Sequence, residues 1–200
     1  FREVDIAYCA TPGSTELRFI GTRERVQELQ AQTRKVFAND IVNETGNEVV
    51  SEVASLLQTK QVTVSVAESC TGGGLGECLT AIPGASSFFM GGIISYADEV
   101  KINHLGVEAG VIEQHGAVSS KCAEQMALGV QEQLGTDWAV SITGVAGPGG
   151  GSADKPIGLF FVGIAGPRGV TSIKHQVSGD RDQIRDHAVQ RALVALWREL

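Results

Sequence analysis

The residues Ala67-Glu68-Ser69-Cys70-Thr71-Gly72-Gly73-Gly74 form the junction between a predicted strand and a predicted helix. Residues 62–66, just before it, are an apolar run of strand length. After it, Leu75, Leu79 and Ile82 recur with the spacing of one helical face. A strand that passes through a short turn into a helix is typical of α/β proteins.

The junction combines hydroxyl and thiol groups with a run of glycines. Because glycine has no side chain, a ligand can approach the backbone closely there. The first N–H groups of the helix have no partner within it, so the junction can hold an anion or an oxyanion beside a nucleophilic serine. A structural turn explains the glycines but not the hydroxyls, which favours Ser69 as a nucleophile. Cys70 ranks below it, because no basic residue flanks the thiol to lower its pKa.

The composition limits the classes of protein that fit. With 200 residues, 42% of them hydrophobic, the chain can build one ordinary domain with an appendage. Its net charge of −7 and pI near 5.1 disfavour nucleic-acid binding, since neutralising phosphates needs a surplus of lysine and arginine. No apolar run reaches membrane-spanning length, and no signal-peptide pattern opens the sequence. We therefore expect neither a nucleic-acid nor a membrane partner.

The cysteines and histidines form no metal-binding pattern. Cys9, Cys70, Cys78 and Cys122 lack CxxC spacing, so reduced thiols and a cytoplasmic location are predicted. The four histidines have no metal-ligand spacing, and none is next to a hydroxyl motif. A Ser-His-Asp triad stays open, because its members meet only in space, but no pattern favours it.

Residues 1–43 differ from the rest of the chain. Residues 4–9 and 16–20 alternate like strands across a Pro-Gly turn, and a charged helix is predicted over 23–37. One hairpin and one helix make a core too small to be stable alone. Because Phe1 is not an initiator methionine, we expect a truncated α+β fragment, 1–43, followed by the main domain, 44–200.

The main domain alternates strands and helices. A capping-box pattern, Thr45-Gly46-Asn47-Glu48, predicts the start of its first helix. The further predicted elements are strands at 62–67, 92–96, 138–142, 157–165 and 170–177 and helices at 71–82, 98–104, 119–134 and 180–200. Interleaved strands and helices imply helices on both faces of a sheet, and the final hairpin adds antiparallel pairs. The predicted fold is α/β, with a mixed, mainly parallel sheet preceded by the small α+β fragment.

Tyr96 and Lys101 stand five residues apart across a predicted strand-to-helix turn. Both can therefore point into one cleft. A lysine that is desolvated there can act as a base toward a serine hydroxyl. An ordinary solvated surface lysine is the competing interpretation.

Two more polar segments stand at predicted strand ends, where open α/β sheets bind ligands. Residues 141–152 form a glycine-rich loop whose N–H groups suit a phosphate or carboxylate, although a flexible connector also fits. In residues 178–181, Asp180 can cap the last helix and Arg181 can clamp a phosphate with two hydrogen bonds. A salt-bridged helix start is the alternative there.

In this order along the chain, the motifs resemble the CinA C-terminal domain. The segments that carry the resemblance are residues 67–73, 92–96, 115–119, 141–151, 155–158 and 178–181, together with Lys101. The resemblance runs from about Glu48 to the last residue. Stand-alone members of that family are nicotinamide mononucleotide deamidases. Full-length competence/damage-inducible CinA proteins carry a nucleotide-pyrophosphatase-like domain and a KH-like module first, and residues 1–43 are similar to the end of that module.

The resemblance implies an amidohydrolase of pyridine nucleotide salvage, which converts nicotinamide mononucleotide into nicotinate mononucleotide and ammonia. Ser69 would attack the carboxamide carbon, while Tyr96 and Lys101 would move its proton, with the choice of base left open. N–H groups around Thr71 and Gly72 would form the oxyanion hole. No metal or organic cofactor is needed for this chemistry.

The resemblance also implies how the substrate is held. The expected substrate-binding residues are Thr71, Gly72, Ser86, Thr143, Gly144, Gly147 and Arg181. A homodimer is expected, and the long loop 143–152 could cross the interface so that a second subunit completes the pocket. The alternative function is a catalytically weak nucleotide-binding or regulatory module that keeps the fold and the pocket.

Overall fold

The N-terminal residues form a hairpin followed by one helix. The computed structural model of the protein describes residues 4–11, 13–38, 40–44 and 46–200. β1 (Val4–Thr11) pairs antiparallel with β2 (Ser14–Gly21), and α1 (Arg23–Phe37) packs against β2. The predicted hairpin and helix are confirmed, while Pro12 of the predicted turn lies outside the described residues. α1 buries none of its residues, so this part forms a surface layer.

The first helix of the main domain, α2, spans Val49–Lys60 and does not begin where the capping pattern predicts. Its N-cap is Glu48, whose side chain makes no capping hydrogen bond. The predicted capping box is therefore wrong as the start of this helix, and its Thr45 lies outside the described residues. Burial of an apolar face that includes Val53 and Leu57 holds the helix instead.

Five strands form one mixed sheet in the order β4-β3-β5-β6-β7. The strands are β3 (Val64–Glu68), β4 (Phe89–Ile94), β5 (Trp138–Gly144), β6 (Leu159–Gly166) and β7 (Gly169–Gln176). β3 pairs in parallel with both β4 and β5, whereas β6 runs antiparallel to β5 and to β7. Four of the five strands therefore point the same way, which confirms the mixed, mainly parallel sheet.

The helices after α2 lie between and after these strands. They are α3 (Gly74–Thr80), α4 (Asp98–Leu105), α5 (Ala109–His115), α6 (Ser120–Leu134) and α7 (Arg181–Glu199). α3 is shorter than predicted, because the turn after β3 continues to Gly73. α5 was not predicted, and since none of its residues is fully buried, no strong apolar face marks it in the sequence. Within the described residues, none of the helices has the length and apolar character needed to span a membrane.

Helices cover both faces of the sheet, as the sequence predicts. α2, α3 and α7 share one core with strand side chains such as Val66 and Val140. α4 and α6 pack on the opposite face against Ala67 and Ala139. Successive strand residues point to opposite faces, which is why neighbours such as Val66 and Ala67 contribute to different cores.

The carboxyl ends of the four parallel strands share one edge of the sheet. Ser69 follows β3, Tyr96 follows β4, Thr143 lies at the end of β5, and Arg181 begins α7 shortly after β7. Segments that are far apart in the sequence therefore meet at this edge, where open α/β sheets bind their ligands.

Candidate active site at the carboxyl edge of the sheet

A polar cavity of about 290 Å³ opens at this edge of the sheet. Its wall is built from five separated segments of the chain. The predicted site residues that line it are Ser69, Tyr96, Lys101, Thr143, Gly144, Gly147 and Arg181. A concave site with several convergent polar groups is the usual form of an active or binding site.

Ser69 stands at the start of the turn that follows β3. Its N–H donates to the carbonyl oxygen of Ile142 on β5 at 2.9 Å, which extends the parallel pairing by one residue. Its own carbonyl accepts from the Gly72 N–H at 3.1 Å and closes a tight turn. The residue is 8% exposed and lines the cavity. The backbone that carries the hydroxyl is therefore fixed on both sides.

The carboxylate of Glu68 occupies the start of α3. Glu68 is 1% exposed and accepts from the N–H groups of Gly73 and Leu75 at 3.1 Å each and of Gly76 at 2.9 Å. From the sequence, the first N–H groups of this helix are expected to bind a ligand, because they have no partner within the helix. The expectation of an external anion there is corrected, because the chain supplies the anion itself. The acidic residue directly before Ser69 was the available signal, and sequence reasoning missed it.

The part of the turn that contains Thr71 and Gly72, where the oxyanion hole is predicted, lies beside the cavity wall and not in it. The Gly72 N–H is used within the turn, and neither residue lines the cavity. The Thr71 carbonyl accepts from Nη2 of Arg185 at 2.9 Å, which ties the turn to α7. Thr71 Oγ1 is buried and has no partner among the described residues. Both residues therefore shape the turn, and Arg185 is a tether that sequence reasoning missed.

Lys101 is buried at the cavity and is not a solvated surface lysine. It is 1% exposed. Its Nζ donates to the backbone oxygens of Ser95 and Tyr96 at 2.9 and 3.2 Å and to Asp98 Oδ1 at 3.3 Å. An ammonium has three N–H donors, so each has an acceptor. This arrangement holds a fixed positive charge in the cavity that Ser69 also lines.

Arg181 and Tyr96 form another part of the cavity wall. Nη1 of Arg181 donates to the Gly147 carbonyl at 2.6 Å, and Nη2 donates to the Tyr96 hydroxyl oxygen at 3.4 Å. Tyr96 is 62% exposed, so its phenol lies at the mouth of the cavity rather than at its floor. The guanidinium thus joins the glycine-rich loop to the residue after β4.

A capping box forms the start of α7, where the sequence predicts that Asp180 caps the helix. The Asp180 carboxylate accepts from the Gln183 N–H at 2.9 Å, and the Asp180 N–H donates to Gln183 Oε1 at 3.0 Å. Nη1 of Arg185 lies 3.6 Å from Asp182 Oδ1. The salt-bridged helix start is therefore present through Arg185, whereas Arg181 lines the cavity and its binding of a phosphate stays a prediction.

Packing accounts for two glycines that the sequence analysis assigned to ligand binding. A Cβ on Gly144 would lie 2.4 Å from the Cβ of Phe160, so the approach of β5 to β6 requires glycine there. Gly147 has a φ of +75°, and its Cβ would lie 2.8 Å from the Ile157 side chain. Thr143 donates its hydroxyl proton to the Ala117 carbonyl at 2.8 Å, which leaves the oxygen lone pairs free to accept.

Cys70 lines the same cavity but is a poor nucleophile. Burial raises the pKa of its thiol to about 11. The thiolate is the reactive form, and with this pKa the thiol stays protonated near neutral pH. The preference for Ser69 over Cys70 is strengthened for a reason that the sequence alone did not give.

Ser86 lies away from the cavity. It belongs to a short 3₁₀ turn, Ala85–Ser87, directly before β4, whereas Ser69 follows β3. Since β3 and β4 are parallel, the two serines are at opposite edges of the sheet. The expectation that Ser86 lines the pocket is therefore corrected for a single chain. The described residues contain no cluster of three or more His, Cys, Asp or Glu side chains that could hold a metal ion.

Comparison with known sequences places the chain among CinA-like proteins. The family model of the CinA C-terminal domain matches residues 46–200. A CinA-like protein of Thermosynechococcus vestitus is 47% identical over 181 residues, which cover 89% of this chain and 44% of the relative. One from Acaryochloris marina is 43% identical over 205 residues, which cover 98% of this chain and 49% of the relative. The chain thus spans less than half the length of these curated relatives.

Solved structures of competence/damage-inducible proteins have the same fold as this chain. The competence damage-inducible protein A of Klebsiella pneumoniae matches with a TM-score of 0.74 and 32% identity, over 76% of this chain and 97% of that one. The competence/damage inducible protein CihA of Agrobacterium tumefaciens matches with a TM-score of 0.70 and 36% identity, over 77% and 99%. Because the family model spans most of the chain and the fold agrees, this protein belongs to the CinA C-terminal domain family.

Proposed function

We propose that this protein is an amidohydrolase that converts nicotinamide mononucleotide into nicotinate mononucleotide and ammonia. The observation that carries the proposal is the buried ammonium of Lys101 in the same polar cavity as Ser69. Burying a charged group is costly unless hydrogen bonds compensate, so a cavity that retains one suits a reaction in which negative charge develops. The resemblance described above supplies the substrate.

The reaction would proceed in two halves. In the first, Ser69 Oγ adds to the carboxamide carbon, a proton passes to the departing nitrogen, the C–N bond breaks and ammonia leaves. In the second, water adds to the acyl-serine ester, the ester C–O bond breaks and the serine hydroxyl is restored. Nicotinate mononucleotide then leaves with its new carboxylate.

Lys101 and Tyr96 would have different tasks. Since each N–H of the Lys101 ammonium has an acceptor, it suits a fixed cation that stabilises the developing oxyanion. The Tyr96 hydroxyl suits a relay, which takes the Ser69 proton on its oxygen and gives its own proton to the leaving nitrogen. Nη2 of Arg181 would hold the phenol in place for this transfer.

The charges at the cavity suit a nucleotide phosphate. The chain carries a net charge of −7, yet the charged residues that line this cavity are two cations, Lys101 and Arg181, and one carboxylate, Asp98, which leaves a surplus of positive charge. Arg181 stands beside the glycine-rich loop, whose N–H groups can add to a phosphate site. A phosphate held there would orient the carboxamide toward Ser69 and lower the entropic cost of the reaction.

The test is ammonia release from nicotinamide mononucleotide by the purified chain, with product identified by chromatography. Ser69→Ala should lower turnover by about 10³-fold or more while nucleotide binding, measured by calorimetry, persists. Cys70→Ala is the matched control and should keep most of the activity. Free nicotinamide should be nearly inert, because it lacks the phosphate that orients the amide. A chain that needs Cys70 and tolerates Ser69→Ala would contradict the serine mechanism.

One observation favours a second function, a nucleotide-binding module with slow chemistry. The Lys101 ammonium is fully hydrogen-bonded to Ser95, Tyr96 and Asp98, which suits a site that holds an anion without moving protons. In that case nicotinamide mononucleotide would bind, but the original chain and Ser69→Ala would release ammonia at the same rate.

A further inference from the structure

The buried carboxylate of Glu68 takes no part in the mechanism above, although it directly precedes Ser69. We propose that Glu68 is a positioning residue, whose carboxylate fixes the turn that carries the nucleophile. The inference rests on the proposed amidohydrolase function and deepens it. It concerns residues 69–72, of which the sequence analysis assigned Ser69 to catalysis and Thr71 and Gly72 to substrate binding.

The hydrogen bonds of Glu68 span the turn. The residue ends β3, and its two carboxylate oxygens accept three N–H groups from the far side of the turn, those of Gly73, Leu75 and Gly76. Residues 69–72 are therefore a four-residue loop whose two ends are joined by one side chain. A closed loop of this kind has far fewer conformations than an open one, so the position of the Ser69 hydroxyl is restricted.

The partners of Glu68 require a carboxylate. Among the described residues, none forms a salt bridge with Glu68. Backbone N–H groups alone therefore balance its buried charge. Three donors converge on two oxygens, and a carboxylate can accept them all because it has only lone pairs to offer. In a glutamine the NH₂ group would face at least one of these N–H groups, and that bond would be lost.

The surrounding sheet does not depend on this carboxylate. β3 is central and pairs along its length with both β4 and β5. The Ser69 N–H is also held by Ile142, and the Thr71 carbonyl by Arg185. Glu68→Gln should therefore leave the fold intact while it loosens the turn, which separates positioning from folding.

Two variants of the chain test the proposal, Glu68→Gln and the control Glu77→Gln. Glu77 lies in the first turn of α3 and is exposed, so its substitution removes one negative charge close to the helix start that the Glu68 carboxylate contacts. The measurements are kcat and KM for nicotinamide mononucleotide and the hydrogen exchange of backbone amides without ligand. Each is compared with the original chain.

We expect Glu68→Gln to lower kcat by about 10²-fold, the effect of a small misplacement of a reacting group. KM should change by less than about threefold, because the phosphate contacts at Arg181 lie on another element. Amides 70–76 should exchange at least about tenfold faster, while those of β3 and β5 keep their protection. Glu77→Gln should match the original chain in all three measurements.

Three results would decide against the inference or its basis. A Glu68→Gln variant with kcat within about threefold of the original chain would overturn the positioning role. Faster exchange throughout the sheet, with kcat lowered only by loss of folded protein, would make Glu68 merely structural. If the original chain releases no ammonia, the proposed function fails, whereas the exchange of amides 70–76 still decides whether Glu68 holds the turn.

Discussion

Two charged side chains in the first turn of α4, Lys101 and Asp98, line the cavity. Lys101 is 1% exposed, and Asp98 has a half-exposed carboxylate 3.3 Å from its Nζ. The other two acceptors of Nζ are the backbone carbonyls of Ser95 and Tyr96, which do not take up protons. If Lys101 passes a proton to a neighbour in the protein, Asp98 is therefore the acceptor available to it.

Asp98→Asn separates a fixed cation from a proton relay. The asparagine oxygen can still accept from Nζ, so for a fixed cation we expect kcat to change by less than about tenfold. The free energy of unfolding should fall by less than about 1 kcal/mol, since ion pairs with an exposed partner contribute little. Steady-state kinetics across pH and denaturant unfolding check both expectations.

Glu99→Gln is the control, because Glu99 is the next residue of α4 and is exposed. A loss of kcat of more than about 10²-fold in Asp98→Asn alone, together with a changed pH profile, would show that Asp98 takes the proton from Lys101.

Close packing between helices fixes where α4 places Lys101. The last residue of α4, Leu105, meets α6 at Gly129, where an added Cβ would lie 1.8 Å from the Leu105 carbonyl oxygen. The backbone atoms there cannot move aside as a flexible side chain would. Glycine at position 129 therefore sets the separation of two helices, one of which carries the cation of the cavity.

Gly129→Ala and Gly110→Ala should change stability in opposite directions. Gly129→Ala should lower the free energy of unfolding by about 3 kcal/mol, the upper range for overpacking, and should also lower kcat because α4 shifts. Gly110 lies in α5 with no atom within 4 Å of an added Cβ, so alanine should stabilise by about 0.5 kcal/mol through lower chain entropy. Denaturant unfolding of both variants measures the difference.

A Gly129→Ala variant as stable and as active as the original chain would show that the α4–α6 contact can relax. The placement of Lys101 would then depend on its own hydrogen bonds and not on helix packing.

At the scale of the whole molecule, the N-terminal hairpin stands apart from the five-stranded sheet. β1 and β2 pair only with each other among the described strands, and α1 buries no residue. Exposed salt bridges join this part to the main domain, such as Arg198 with Asp40 at 3.3 Å. The buried residues of both apolar cores all lie after position 48, and Val42, which is only partly buried, packs against one of them.

Residues 44–200 should therefore fold without residues 1–43. Loss of surface contacts worth about 1 kcal/mol would lower the Tm by about 2–4 °C for a chain of this length, and ammonia release per folded molecule should stay within about twofold. Calorimetry and the ammonia assay on the shortened chain measure these effects. Aggregation, or a loss of activity in a folded shortened chain, would show that the hairpin supports the site.

The fold could be predicted largely from local patterns. The apolar run 62–66, the period of α6 and the hairpin of β6 and β7 each reflect side-chain spacing within one element. The order of strands and helices then favours a sheet whose carboxyl ends share one edge. The sequence by itself thus determined the α/β class and the helical layers on both faces of the sheet. It also determined that four residues meet at the carboxyl edge: Ser69, Tyr96, Thr143 and Arg181.

Only the tertiary structure decided how these residues are used. Glu68 and Lys101 are buried with specific hydrogen-bond partners, and the close packing of Phe160 requires a glycine at position 144. The Thr71 carbonyl accepts a hydrogen bond from Arg185, which is 114 residues away. Each of these depends on which atoms meet after the sheet assembles, and no spacing along one element records that. Local hydrogen bonding and hydrophobic periodicity depend on residues that are close in the sequence. The desolvation of a side chain and its long-range contacts arise only when the elements pack together.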